Sequence, residues 1–474
     1  MTVQADPGRE PTGSVPIGFP DPAGTSGPHS LSTMAQGKKF FIETFGCQMN
    51  HHDSEKVAGT LVKMGYAPTS DASEADLLLL NTCNIREKAN QKVFSRLGAV
   101  RQTYGAKSTA RIGLLGCMAQ MEGAAIFKKA PKVDLVVGSS SYSFLPELVS
   151  RLEQGEQQVI DVSQDSDRLF ETEAGARESP YKAFVTIMEG CNRFCSFCVV
   201  PYTRGPERSR PGRHVLSEVE GLSSRGFREV TLLGQTVNSW RDPLGEIASF
   251  TDLLRRVARI EGIRRIRFTS PHPSDFRPDI VEVIETVPEV CNQIHLPLQS
   301  GSTPVLQRMK RDYTREQYLE KVAFLKRSRR EIALSTDIIV GFPGETQQQF
   351  EETLSMVETV GYDSMFSFKF SPRPGTEAFA FRDVIPEAEK SRRLQVLQQF
   401  QRKIQLERHA RLVGMEFEVL VDGTSRRDSR MLAGRTTQNK IVNFSGPPEL
   451  LGRLVPVRVT DYAPNSLRGE LLGC

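Results

Sequence analysis

Cys191, Cys195 and Cys198 fall in the run Glu189-Gly190-Cys191-Asn192-Arg193-Phe194-Cys195-Ser196-Phe197-Cys198. Three thiols so spaced on one short loop can ligate three irons of a cubane [4Fe–4S] cluster. Such cubes normally take four cysteines, so the fourth iron is left open. An open iron can chelate the amino and carboxylate groups of S-adenosylmethionine (SAM) and pass it one electron. The sulfonium then breaks to a 5′-deoxyadenosyl radical, chemistry that belongs to the cofactor. A zinc knuckle is the bland alternative. It needs a fourth Cys or His, and His214 and His295 are available.

Of the eight cysteines, three more lie upstream: Cys47, Cys83 and Cys117. Each follows a short apolar run that reads as a strand: 39–42, 76–80 and 111–115. Helices are expected over 54–64, with Asp53 as the cap, and over 86–100. This β-α-β-α pattern predicts a doubly wound parallel sheet. Ligands bind outside the carboxyl ends of such strands. All three cysteines occupy that position, so they should converge as ligands of a second cluster, again with one iron free. Small cysteines also pack at such places, and that is the competing reading. Cys291 lies outside both triads and reads as packing. The terminal Cys474 reads as no ligand.

The elements that must position these thiols need room. A chain of 474 residues predicts about three domains, and 38% hydrophobic content supports sizeable cores. No run approaches the ~18 apolar residues of a membrane span. No signal peptide is expected, and thiols arranged for metal argue against a secreted disulfide framework. A cytoplasmic protein follows. A net charge of +4 permits a nucleic-acid partner without demonstrating one. Residues 1–37, rich in Pro, Gly, Ser and Thr, read as a disordered leader. Asp6, Glu10 and Asp21 argue against a transit peptide there, and Met34 is an alternative start. Residues 38–153 form the three-cysteine domain, with a further strand expected over 133–137, and 154–179 read as a polar linker.

Strand–helix alternation resumes over 180–409. Strands are expected at 184–188, 229–233, 263–269, 293–296, 332–340 and 365–370. Six β-α units are too few for a closed eight-fold barrel but suit an open (βα)6 partial barrel. Function in barrels collects at the C-terminal strand ends. The first end carries the Cys191 loop and Gly190. Gln235 and Asn238 follow the second strand, and Ser270-Pro271-His272-Pro273 the third. The fourth carries His295 to Ser302, including Gln299. Asp337 and Gly341 mark the fifth, and Ser371 to Thr376 the sixth. Glycines let backbone approach an adenine or methionyl group closely. Gln235, Asn238 and Gln299 can hydrogen-bond ribose or carboxylate oxygens. Gly190, Gln235, Asn238, Gln299, Asp337 and Gly341 are therefore the candidate SAM contacts. His295 alone reads more readily as a hydrogen-bonded histidine than as a catalyst.

Residues 387–412 read as a basic helix whose charges mostly face solvent. Beyond it come five short β runs at 416–421, 431–435, 440–444, 454–462 and 467–471. They suggest a small OB-like barrel over 410–474, an architecture that binds oligonucleotides. Arg426, Arg427, Arg430, Arg435, Lys440 and Arg468 would give it a basic surface.

From about residue 38 onward the chain resembles the methylthiotransferases of the radical-SAM superfamily. The carrying runs are Thr44 to Asn50, Asn81-Thr82-Cys83, Gly116-Cys117, Gly190 to Cys198, Val199 to Gly205, His295 to Ser302 and Ser371 to Thr376. The likeness is strongest to the branch that acts on N6-dimethylallyladenosine in tRNA. Thr236 and Trp240 depart from it, since the family usually has Asn and Tyr there. The resemblance implies an N-terminal cluster domain, a radical-SAM partial barrel and a C-terminal TRAM domain. It implies two [4Fe–4S] clusters, one at Cys191, Cys195 and Cys198 and an auxiliary one at Cys47, Cys83 and Cys117. It also implies SAM as radical source and methyl donor, with no catalytic residue beyond the cluster ligands. The implied reaction is methylthiolation at C2 of N6-dimethylallyladenosine in an anticodon stem-loop, with an electron donor such as flavodoxin or ferredoxin. The rim near Phe342 and Arg373 is the expected dimethylallyl pocket. Related readings are a methylthiotransferase for threonylcarbamoyl-adenosine, or one for a ribosomal-protein aspartate whose relatives usually show Pro-Lys-Asn where this chain has Gln48-Met49-Asn50. An RNA-binding metal protein without enzymatic activity is the reading from a different class.

Overall fold

The computed structural model describes residues 15–16, 37–83, 93, 95–98, 110–164 and 175–473. The first layer is a parallel sheet of β1 (Lys39–Phe45), β2 (Leu77–Thr82), β3 (Arg111–Gly116), β4 (Leu135–Gly138) and β5 (Val159–Asp161), hydrogen-bonded in chain order. Strands buried on both faces read as unbroken apolar runs. In β2, Leu77 and Leu79 enter one core, while Leu78 and Leu80 enter the other. Helices cover both faces. β5 falls inside the stretch expected to be a linker, and so extends the sheet. Of the expected leader, only Val15–Pro16 is described, paired antiparallel with β1. The helix expected over 86–100 lies largely outside the described residues.

One helix boundary is corrected. α1 spans Gln48–Lys63 with Cys47 as its N-cap, so Asp53 is an interior residue and not the cap. The helix hides because its first turns are polar, yet His52, Asp53, Ser54, Glu55 and Lys56 are all buried. They face the second layer and are matched there by charge. Glu55 takes Arg177 at 3.0 Å and the Glu178 N–H at 3.0 Å. Periodicity of apolar residues cannot report a face stabilised this way.

The second layer is an arc of six parallel strands. β6 (Lys182–Thr186), β7 (Glu229–Leu233) and β8 (Arg265–Phe268) form one sheet. β9 (Gln293–His295), β10 (Ala333–Val340) and β11 (Ser364–Lys369) form the next. An Ile266–Val290 bridge joins the two. Helices wrap the outside, and one continuous apolar core fills the space between. The basic helix, α2 (Glu387–Ala410), packs along β11. Two of its charges are not solvated as expected. Arg393 is buried on Glu345 at 2.7 Å, and the Lys390 amine donates to the Phe370 carbonyl at 3.2 Å.

Residues 416–471 close into a five-stranded barrel with its own small core. It docks on the arc through buried polar contacts. Arg265 donates to the carbonyls of Arg435 and Glu418, Arg267 donates to that of Thr436, and Lys440 pairs with Asp363 at 2.7 Å. Among the described residues, no helix is long and apolar enough to cross a membrane.

A two-triad cavity as the candidate active site

Cys47, Cys83 and Cys117 follow the ends of β1, β2 and β3, as the alternation requires. A buried amide network ties these ends together. The Asn50 side chain donates to Asn81 Oδ1 at 3.2 Å and to the Thr82 carbonyl at 3.3 Å. Asn81 donates in return to the Asn50 carbonyl and to Ser54 Oγ, both at 2.8 Å. The residues flanking the cysteines are thus the braces that hold three distant chain segments in register. Gly116 has φ +91°, and a Cβ there would lie 2.4 Å from Asn81 Oδ1 and 2.6 Å from the Thr82 carbonyl oxygen.

The other triad hangs on the loop after β6. Gly190 has φ +77°, and its missing Cβ leaves room for the Pro206 carbonyl oxygen, which a Cβ would meet at 2.0 Å. The Arg193 backbone N–H donates to Cys191 Sγ at 3.4 Å, and Arg311 Nη1 donates to Cys195 Sγ at 3.3 Å. Burial raises the Cys191 thiol, and pushes that of Cys198 up to about 12. Binding to a metal must therefore expel those protons. Among the described residues, no three His, Cys, Asp or Glu side chains close around a point that fits one metal ion. A mononuclear site draws its thiolates to about 2.3 Å from one centre. His214 and His295 do not complete such a set.

Both triads line one cavity of about 970 Å³, together with the inner face of the arc and one face of the small barrel. Gln235, Gln299, Asp337 and His295 line it as well. Gln235 Oε1 and Gln299 Oε1 are buried with no protein hydrogen-bond partner. Gln299 also sits at φ +68° and Ser270 at φ +56°, strain of the kind that collects at functional sites. His295 Nε2 lies 3.3 Å from Asp337 Oδ2, its Nδ1 lies 3.0 Å from Ser335 Oγ, and its ring meets Phe366 edge-on at 5.9 Å.

Three of the six expected SAM contacts support the cavity from behind and do not line it. Gly190 is covered by Gly205 and Pro206. The Asn238 amide is spent on the His272 backbone, donating to its carbonyl at 2.9 Å and accepting its N–H at 2.8 Å. Gly341 faces the Lys390 stem and donates its N–H to Glu345 at 2.7 Å. Trp240 is a core residue whose Nε1 donates to the Arg210 carbonyl. Thr236 lines the cavity with its hydroxyl held by Glu207. Phe342 and Arg373, the expected dimethylallyl rim, do not line this cavity. Phe342 is wholly buried against Phe370, Phe381 and Phe197, because its ring completes a satellite core. Phe366 and Phe368, one β period apart on β11, line the cavity instead.

Sequence alone places His272 only in a strand-end run. Its Nδ1 accepts the Ser274 N–H at 3.3 Å, which leaves the proton on Nε2, buried without a protein acceptor. Burial, with Arg311 and Arg193 nearby, pushes its pKa down to about 2, so it stays neutral. The cavity thus offers one unmatched donor and two unmatched amide oxygens beside six thiols. That donor set fits an iron–sulfur cluster with a nucleoside-bearing amino acid beside it.

Residues 39–138 match the uncharacterized protein family UPF0004, residues 185–357 the Radical SAM superfamily, and residues 410–472 the TRAM domain. A curated relative from Solibacter usitatus, named tRNA-2-methylthio-N(6)-dimethylallyladenosine synthase, is 50% identical over 92% of this chain and 98% of its own length. One of the same name from Koribacter versatilis is also 50% identical, over 92% and 98%. Another from Aquifex aeolicus is 45% identical, over 92% and 99%. The fold resembles that of the radical S-adenosylmethionine methyltransferase TsrM from Kitasatospora setae. The TM-score is 0.52 at 14% identity, covering 72% of this chain and 74% of that one. At that identity the likeness speaks for the fold alone.

Proposed function

Because the chain belongs to the tRNA-2-methylthio-N(6)-dimethylallyladenosine synthase family, we propose that its cavity methylthiolates C2 of N6-dimethylallyladenosine beside a tRNA anticodon. The observation that carries the reading is the shared cavity: two cysteine triads from different layers open on one space that also holds unmatched polar groups. Cys191, Cys195 and Cys198 hold the SAM-binding [4Fe–4S] cluster, and Cys47, Cys83 and Cys117 hold a second one. Loaded with these clusters and SAM, the site would have the electron and the sulfur from the clusters and the radical and the methyl group from SAM that an unactivated aromatic C–H demands.

The chain's own residues bind, orient and shelter. Arg311 compensates charge at Cys195 through its N–H···S contact. Gln235, Gln299 and the His272 Nε2–H provide the acceptors and the donor for SAM, while Asn238, Gly190 and Gly341 hold the strand ends that carry those groups. Phe366 and Phe368 give the target base an apolar face to lie on once it leaves its stack. Unstacking costs a few kcal/mol, least in an unpaired loop. Arg426, Arg427 and Arg435 line the small-barrel side, where the phosphate backbone of tRNA would run. The chain divides functionally at 38–153, 180–409 and 410–474. An external electron donor of the flavodoxin or ferredoxin class completes the cycle, and a reducing cytoplasm suits these thiols.

The test is anaerobic turnover with matched anticodon stem-loops bearing adenosine, dimethylallyl-adenosine or threonylcarbamoyl-adenosine. Methylthiolation of the dimethylallyl form is expected, with little of the others. Comparable product from the unmodified loop, or preference for the threonylcarbamoyl form, overturns the substrate assignment.

A further inference from the structure

Arg204 lies six positions beyond Cys198 in the chain, yet its charge sits at the other triad. The short helix Val200–Arg204 runs from the Cys198 loop and packs against Cys117–Glu122. The Arg204 side chain is buried, and its Nη2 donates to Asp53 Oδ2 at 2.6 Å. Asp53 belongs to α1, whose N-cap is Cys47. Thr203 is within hydrogen-bonding reach of the Cys117 thiol, and Arg204 and Asp53 act on that thiol with opposite signs. The Thr203 carbonyl is itself fixed by the Ser139 hydroxyl at 2.5 Å. One Arg–Asp pair therefore ties the segment leaving the first triad to the helix that starts at the second.

We propose that Arg204 is a positioning residue for the second triad: it fixes α1 against Cys117 through Asp53 and offsets the negative charge of the thiolates, so setting the reduction potential of the group they hold. This rests on the reading that Cys47, Cys83 and Cys117 ligate an iron–sulfur cluster. The potentials of such clusters follow net charge, hydrogen bonds to sulfur and solvent exposure. A buried cation favours the reduced, more negative state and is little screened by salt. Asp53 acts with the opposite sign.

The test uses the full chain carrying C191A, C195A and C198A, reconstituted anaerobically, so that only the second site is loaded. Iron content and midpoint potential are measured for this parent and for R204Q, R204K and D53N added to it. The parent should hold about four irons. R204Q should shift the potential down, D53N should shift it up, and R204K should return most of the R204Q shift. A brace with no electrostatic role moves R204Q and D53N in the same direction or not at all, and either result overturns the inference. D53N carries the test by itself if R204Q holds no iron. A parent without iron overturns the ligand reading and this inference with it; a parent with iron and unmoved potentials overturns the inference alone.

Discussion

Cys191, Cys195 and Cys198 share one loop, whereas Cys47, Cys83 and Cys117 come from three strand ends far apart in the chain. The loop triad needs little beyond a local backbone path, set by Gly190 and by contacts from Arg193 and Arg311. The dispersed triad needs a whole sheet in register and the Asn50–Asn81 network behind it. Proximity along the chain can be read from spacing. Proximity across strands can be read only by placing the strands first. The same contrast separates their expected failures: loop changes should strike one site and sheet changes the other, save at Arg204, which leaves the loop and pairs with Asp53 behind the dispersed triad.

The largest effects should come from the thiols. Alanine at Cys191, Cys195 and Cys198 should abolish 5′-deoxyadenosine formation and leave about four of about eight irons. Alanine at Cys47, Cys83 and Cys117 should also halve the iron, but spare SAM cleavage while stopping product. Iron analysis and chromatography of the nucleoside products distinguish the two patterns. Stoichiometric zinc without iron in anaerobic protein would break the comparison altogether.

The glycines just before the cysteines sharpen it. G116A and G190A each force a Cβ into positive-φ backbone, at roughly 1–3 kcal/mol, and against backbone carbonyl oxygens, that of Thr82 at 2.6 Å and that of Pro206 at 2.0 Å. G116A should lose iron from the dispersed site alone; G190A should empty the loop site and, by pressing on Gly205 and Pro206 beside Arg204, shift the potential of the dispersed one without emptying it. If either substitution emptied both sites, the triads would not be independent.

Much of this was legible before the structure. The strand at 229–233 has the bounds its sequence suggested, and the five short strands after 410 close into a barrel. What stayed hidden was charged. His52, Asp53, Glu55 and Lys56 look like a solvated face, and only the opposing Arg177 and Arg204 reveal them as an interface. Arg311 carries no spacing signal, because its partner Cys195 lies on another segment. Phe342 misled for the converse reason: sequence shows an aromatic near a rim, but not which way its ring turns.

The docking of the small barrel predicts a pH effect away from both triads. His409 Nδ1 lies 2.9 Å from the Ala463 carbonyl, and Nε2 lies 3.4 Å from the Lys440 amine. Burial, reinforced by Lys440, lowers its pKa to about 4. The unfolded chain therefore binds a proton here between pH 6.5 and about 4 that the folded chain refuses. Stability should fall as pH drops through that window and be fully present above it. The loss is roughly 3 kcal/mol at most, less any solvent screening. H409Q should flatten the pH dependence of denaturant midpoints in this window. An unchanged slope would remove His409 from the account.

The smallest expected effect falls at neither triad. Phe366 lies on β11, edge-on to His295, and faces the cavity. If its ring carries the target base, F366A forfeits a stacking contact worth about 1–3 kcal/mol. F366L retains apolar area but not the aromatic face, so it should recover only part of that loss. Iron content and abortive SAM cleavage without RNA should stay at parental levels for both variants, because neither triad is disturbed. The affinity for a dimethylallyl-adenosine stem-loop should fall roughly tenfold in F366A, read by anaerobic binding titration. Equal affinity for the parent and F366A would move the base to another wall of the cavity. A fall in iron would show that β11 supports a cluster after all, and that the separation of triads from substrate surface is less clean than the contacts suggest.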